Sequence, residues 1–196
     1  MTNRAWLDAL EPHAPDVVAL FRFYVDEEYL RLRRELRRRA GTGSAPAVAH
    51  QLSAVTTALG EAVAALPQAA FAAPGGEADW TVAEALGHTM EARRGLSLAA
   101  SLAASGRWPA DAGTVVPSVP GPAGVTRDQL LERLSRSQAQ VDRAAAAVAG
   151  HEQDACPLDH PVVGPLRCGE WLLFAGVHDL MHLEQLHRLR AGSPSG

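Results

Sequence analysis

The sequence predicts an all-α protein: a four-helix bundle with an additional N-terminal helix. Three observations carry this. Alanine and leucine dominate, and aromatic residues make up only 5% of the 196 residues, so strand-forming side chains are scarce. The one valine cluster outside helical patterns, "GTVVPSVPGPAG", is broken by prolines that a central strand would not tolerate. Two pairs spaced three apart, Thr81 with Glu84 and Thr126 with Gln129, read as capping boxes. In such a box the hydroxyl accepts from a free helix amide while the longer side chain reaches back to the cap residue's own amide.

Taken in order, Pro15 and Asp16 open a first helix, since proline suits the first helical position. It runs through "DVVALFRFYVDEEYLRLRRELRRR" as far as Gly41, a good stop. A second helix follows "GTGSAP", from about 46 to 66, with Pro67 just past it. The Thr81 box starts a third, reaching Ala104. A long proline- and glycine-rich link follows, of a length that suits a functional loop. The Thr126 box starts a fourth, ended by Gly150. The segment "HEQDACPLDHPVVGPLRCG" reads as irregular, and the last helix runs from about Glu170 to Leu189. The expected organisation is therefore an N-terminal helical extension at 1–45, a bundle at 46–190 and a disordered tail at 191–196.

Bulk properties narrow the function. Net charge is −4 and charged residues are 20%, so nothing pulls the whole chain toward nucleic acid or an anionic membrane. No apolar run reaches the roughly 18 residues a membrane helix needs. The start shows no sustained apolar core of the signal-peptide kind, so cytoplasm is the expected compartment. Two cysteines, Cys156 and Cys168, are too few for a disulfide scaffold. The arginine run from Arg31 to Arg39 is interleaved with Leu30, Leu32 and Leu36, follows the acidic "DEEY" and falls near a helix C-terminus, so it reads as a solvated face rather than a nucleic-acid patch. The apolar residues of that helix, Val18, Leu20, Phe21, Phe23 and Tyr24, have two available partners: the bundle, or a second copy of the chain in a homodimer.

Three of the eight histidines lie in "WLLFAGVHDLMHLEQLH". His178 and His182 are four apart and so sit about 40° apart on one helix face, whereas His187 lies about 180° and about 140° from them. Trp171, Phe174, Ala175, Met181 and Gln185 share the face of the pair, which points it into the bundle. Two core imidazoles need partners for their ring nitrogens, and a metal ion meets that need for both. The same spacing also occurs in solvated pairs and pairs bonded to carboxylates. A metal would need a third ligand. His88, beside Gly87 and Ala85, which would let another helix approach closely, is the best candidate; His13, His50 and His151 have no matching apolar setting. His160, before a proline, fits a turn role better than one over the site.

"WTVAEALGHTMEA" together with "HPVVGPLRCGEWLLFAGVHDLMHLEQLHRL" resembles the DinB-like superfamily of metalloenzymes, related to bacterial thiol-dependent S-transferases. The shared features are a tryptophan, a threonine cap, a histidine seven residues on, HPxxGxL, a WLxF helix start, HxxxH and a glutamine three residues further. The resemblance spans roughly residues 50 to 189. It implies an up-down-down-up four-helix bundle and a divalent metal ion (zinc, nickel or iron) held by His88, His178 and His182. Relatives carry serine or threonine after the GxL; here Arg167 stands there, with Cys168 next. Mycothiol-dependent maleylpyruvate isomerase relatives begin the pair with glutamate, where this chain has His178, so that match is poorer.

Three neutral imidazoles leave an ion its charge and open positions, the pattern of a catalytic site. The resulting expectation is a metal-dependent S-transferase in which a low-molecular-weight, mycothiol-like thiol, as a metal-bound thiolate, attacks a small electrophilic molecule. The loop at 105–125 would cover the pocket. The alternative is a non-catalytic, stress-associated bundle that binds a metal or small ligand. Glu91 and Gln185, each three residues past a candidate ligand, have the phase to orient the imidazoles. Cys168 reads as a passive residue of the helix start.

Overall fold

The computed structural model describes residues 4–75, 79–116 and 119–192. Its helices are α1 (Ala5–Leu10), α2 (Pro15–Val25), α3 (Tyr29–Arg39), α4 (Ala45–Ala64), α5 (Val82–Ala104), α6 (Arg127–Val148) and α7 (Cys168–Gly192). A 3₁₀ turn lies at Gln68–Ala72, and a hairpin is formed by β1 (Ala155–His160) and β2 (Gly164–Arg167). The protein is thus mostly helical, as expected. Of the expected disordered tail, 191–192 continue α7 and 193–196 lie outside the described residues. No helix of the described residues is long and apolar enough to cross a membrane.

Both capping boxes form. The Thr81 hydroxyl accepts from the Glu84 amide, and the Glu84 carboxylate accepts from the Thr81 amide; Thr126 and Gln129 do the same. These starts were readable because every participant lies within four residues.

The single N-terminal helix expected from Pro15 to Gly41 is instead two, α2 and α3. Glu27 has φ of 58°, and the amides of Glu27 and Glu28 bond back to the carbonyls of Tyr24 and Phe23. That is a Schellman ending with glutamate in the place usually held by glycine. A left-handed non-glycine residue costs about 1–2 kcal/mol. The reversal offsets this by burying Leu32 and Leu36 of α3 completely. Val18, Leu20 and Phe21 are fully buried as well, and α2 packs on α7 of the same chain.

The segment expected to be irregular contains the hairpin. Cys156 and Leu158 alternate inward along β1, and Asp159 and His160 pair with Pro165 and Gly164. Gly164, at φ 71°, makes the tight return that L side chains rarely adopt. The last helix accordingly starts at Cys168. At its start Glu170 accepts from the Arg167 amide at 3.0 Å.

Four long helices form the core: α5 packs on α6 and α7, and α4 packs on the same two. Buried residues cover every face of α7 from Cys168 to Leu186. A helix buried on most of its circumference is a central one, and the stripe that the sequence suggested for the histidine pair includes its least buried positions, the half-buried His178, Met181 and Gln185.

Candidate metal centre

The Thr81 box fixes the start of α5, two turns before His88. Hydrogen bonds from the Thr81 amide and hydroxyl, both 2.8 Å, hold the Glu84 carboxyl below its ordinary range. His88 is buried, its ring 5.0 Å from that of Trp80. Its Nδ1 lies 2.7 Å from the Val119 carbonyl. A carbonyl only accepts, so Nδ1 donates and Nε2 carries the lone pair. The sequence pattern led us to expect a helix against Gly87. The loop comes there instead: the Gly121 amide donates to the Glu84 carbonyl at 2.9 Å, and a Cβ on Gly121 would fall 2.5 Å from the backbone of Gly87 and His88.

On α7, His182 is buried and its Nδ1 lies 3.0 Å from Gln185 Oε1; the Gln185 amide donates onward to the Gly75 carbonyl. With its amide nitrogen so engaged, Gln185 presents its oxygen as acceptor, and His182 Nδ1 is the donor. Among the described residues, the buried His178 Nδ1 has no hydrogen-bond partner. Burial, then the neighbouring His182, His88 and His160, push the His178 pKa well below its usual value. The ring is neutral at pH 7, the form that coordinates metals.

These three histidines come together. Ring centroids are 4.7 Å apart for His178 and His182, 5.4 Å for His88 and His178, and 5.5 Å for His88 and His182. One ligand atom from each lies within 4.8 Å of the others, an arrangement able to hold a metal ion. The neutral nitrogen donors and the orphaned Nδ1 of His178 fit a borderline cation such as zinc, nickel or iron(II).

The remaining histidines have other roles. His187 stacks on Trp6 at 5.0 Å and 10°, beside a separate cleft of about 760 Å³ between α1, α4 and the end of α7. His160 Nδ1 accepts from the amides of Val162 and Val163, closing the hairpin turn, while its ring packs 4.8 Å from Phe174. His151 pairs with Asp154, and His13 and His50 are exposed. Gln185 reaches an imidazole, that of His182. Glu91 does not: it is exposed and pairs with Arg94 at 2.8 Å. Cys156 and Cys168 are free and buried, and burial pushes the Cys168 thiol up to about 12.

Sequence reasoning missed the main-chain supports, Val119 and Gly75, and a buried arginine. Arg93 lies wholly inside, bonded to Asp179, the neighbour of His178. Its signal was its place on the stripe Leu86, Met90, Arg93, Ser97, all buried.

No curated protein and no solved structure matches the chain. A sequence model of the DinB superfamily matches residues 75–186, more than half of the chain, including all three clustered histidines and Gln185. With the shared motifs placed around one helical core, this chain belongs to the DinB superfamily.

Proposed function

We propose that the chain is a metal-dependent enzyme in which His88, His178 and His182 hold one divalent ion, and that it transfers a low-molecular-weight thiol, mycothiol-like, to a small electrophile. The observation that carries this is the convergence of three imidazoles from two helices within 4.8 Å. An ion held by three neutral ligands keeps its charge and open positions, and lowers the pKa of a coordinated thiol.

The chain's own residues supply the rest. Burial keeps His178 neutral. Val119 and Gln185 fix the ring orientations of His88 and His182, the role that supporting hydrogen bonds play around metal ligands. In the net reaction a sulfur–carbon bond forms, the bond from that carbon to its leaving group breaks, and the thiol proton departs with the leaving group. The same reading includes the up-down-down-up course of the bundle. The long link between α5 and α6, and their direct packing, support it by allowing consecutive helices to run parallel.

The test is metal content of the purified protein beside His88→Ala, His178→Ala and His182→Ala, followed by thiol consumption with and without chelator across mycothiol, bacillithiol and glutathione. Stoichiometric metal in the wild type, lost in each variant, with chelator-sensitive thiol loss, is the expected result. Full metal in His88→Ala would remove the ligand set. Bound metal without thiol consumption would leave a binding module.

A further inference from the structure

A cavity of about 240 Å³ opens beside His88. Leu96 and Ala99 of α5, Val116 and Val119 of the link, and Leu158 of β1 form its apolar wall. The link is fastened on both sides of this wall. Asp159 of β1 donates its amide to the Thr114 carbonyl at 2.6 Å, and the Val119 carbonyl accepts from His88. His88 thus belongs both to the cavity and to the histidine cluster.

Gly95 lies on the same wall, in the interior of α5. Glycine is less favourable there than alanine. Two other helical glycines, Gly87 and Gly176, have protein atoms to explain them. A Cβ on Gly87 would sit 3.1 Å from Gly121, and one on Gly176 would sit 2.6 Å from Leu52. A Cβ on Gly95 would meet nothing within 4 Å. Gly95 is exposed and stands on the solvent side of the cavity, so among the described residues no neighbouring atom requires the missing side chain, and a side chain there would narrow the entrance.

Among the described residues no lysine or arginine lines the wall. The one carboxylate among them, Glu91, is exposed and already matched by Arg94 at 2.8 Å and Arg133 at 3.9 Å. A carboxylate or phosphate seated against this wall, away from the His88 end, would lose hydration and gain no side-chain cation. An uncharged apolar group loses little and removes apolar surface from water.

We infer that this cavity receives the uncharged, apolar part of the electrophile, a group of about the size of a substituted benzene ring, and presents the adjoining reactive carbon to the His88 side of the centre. This rests on the proposed function for the identity of the reacting centre. The thiols considered are strongly polar, which assigns the apolar pocket to the other substrate.

The experiment uses the full chain and two fluorinated probes, 4-fluorotoluene and 4-fluorobenzoate, followed by ¹⁹F NMR titration. Wild type should bind 4-fluorotoluene at least about tenfold more tightly than 4-fluorobenzoate. Gly95→Leu, which fills the open space, should weaken 4-fluorotoluene by about tenfold or more, with helix content and metal content unchanged. Equal binding of the two probes to the wild type, which needs no variant to fold, would overturn the inference. So would unchanged 4-fluorotoluene binding in Gly95→Leu. Metal content read on the same samples separates the two failures. A metal-free wild type that binds 4-fluorotoluene through Gly95 supports the cavity and removes the centre; a metal-loaded wild type indifferent to Gly95 does the reverse.

Discussion

Arg93 and Asp179 form an ion pair whose two side chains are both at 0% exposure, one residue from His178 on α7 and five residues past His88 on α5. The other guanidinium arm donates to the Leu52 carbonyl of α4, at 3.2 Å, and to Gln138 of α6. One arginine therefore ties its own helix to the other three of the bundle. Burial pushes the Asp179 carboxyl up to about 6, against the lowering effect of Arg93. The pair joins the two helices that bring the histidines together.

Removing one partner leaves a buried charge uncompensated, which costs about 3–5 kcal/mol. Arg93→Met should lower the unfolding free energy by about that amount in urea titration. Arg93→Met combined with Asp179→Leu should recover much of the loss, because a well-packed apolar pair often matches or exceeds a buried ion pair. A double variant as unstable as the single one would show that the network does more than cancel its own desolvation.

Gln185 and Glu91 stand in the same sequence relation to a candidate ligand, three residues on, but only Gln185 reaches an imidazole. Gln185→Ala should weaken metal binding by about 10- to 100-fold, the range for loss of a supporting hydrogen bond. Glu91→Ala should leave it unchanged. Competition against a chromophoric chelator measures both, and equal losses would contradict the assigned orientations.

How far these features could be read in advance depends on how local they are. Both capping boxes and the His178–His182 pair were legible because their spacings lie within one or two helical turns. The break at Glu27 was not, since "DEEY" holds no glycine and the left-handed residue is maintained by the burial of Leu32 and Leu36. The hairpin was obscured by Pro157 and Pro165; Pro157 is tolerated because it lies where the β1–β2 register is irregular, between Ala155 and Asp159, and Pro165 because β2 is an edge strand. Val119 supports His88 through a main-chain carbonyl, which leaves no trace in residue identity. Glu91 was ambiguous because a three-residue step fits both an inward contact and a solvent-facing ion pair.

The buried Cys168 thiol gives a pH dependence of definite sign. In the unfolded chain a thiol ionises near 9.0; in the fold, desolvation by burial moves Cys168 to about 12. As pH rises through that window the unfolded chain loses its proton and the folded one keeps it, so the stability from the neutral buried thiol is present below pH 9 and declines above it. Cys168→Ala should flatten the decline relative to wild type in denaturant titrations from pH 8 to 10.5. Iodoacetamide at pH 8 should label neither Cys168 nor Cys156 until denaturant is added, since burial raises both thiols.

Gly121 tests whether the loop, rather than the helix alone, holds His88. Its hypothetical Cβ lies 2.5 Å from the Gly87 Cα, the Gly87 carbonyl carbon and the His88 nitrogen, all backbone atoms of a capped helix. No side-chain rotation relieves such a contact, so in Gly121→Ala the loop must move away from α5. Two bonds move with it: the one from the Gly121 amide to the Glu84 carbonyl, and the one between the Val119 carbonyl and His88 Nδ1. Overpacking of this kind costs about 1–3 kcal/mol. Losing the Val119 bond should also weaken metal binding by about tenfold or more, as expected when a ligand's supporting partner is removed. Gly124→Ala is the control: a Cβ there meets nothing within 4 Å, although its φ of 70° makes alanine strained. It should cost stability without changing metal affinity. Equal metal affinity in Gly121→Ala and wild type would mean that α5 alone positions His88.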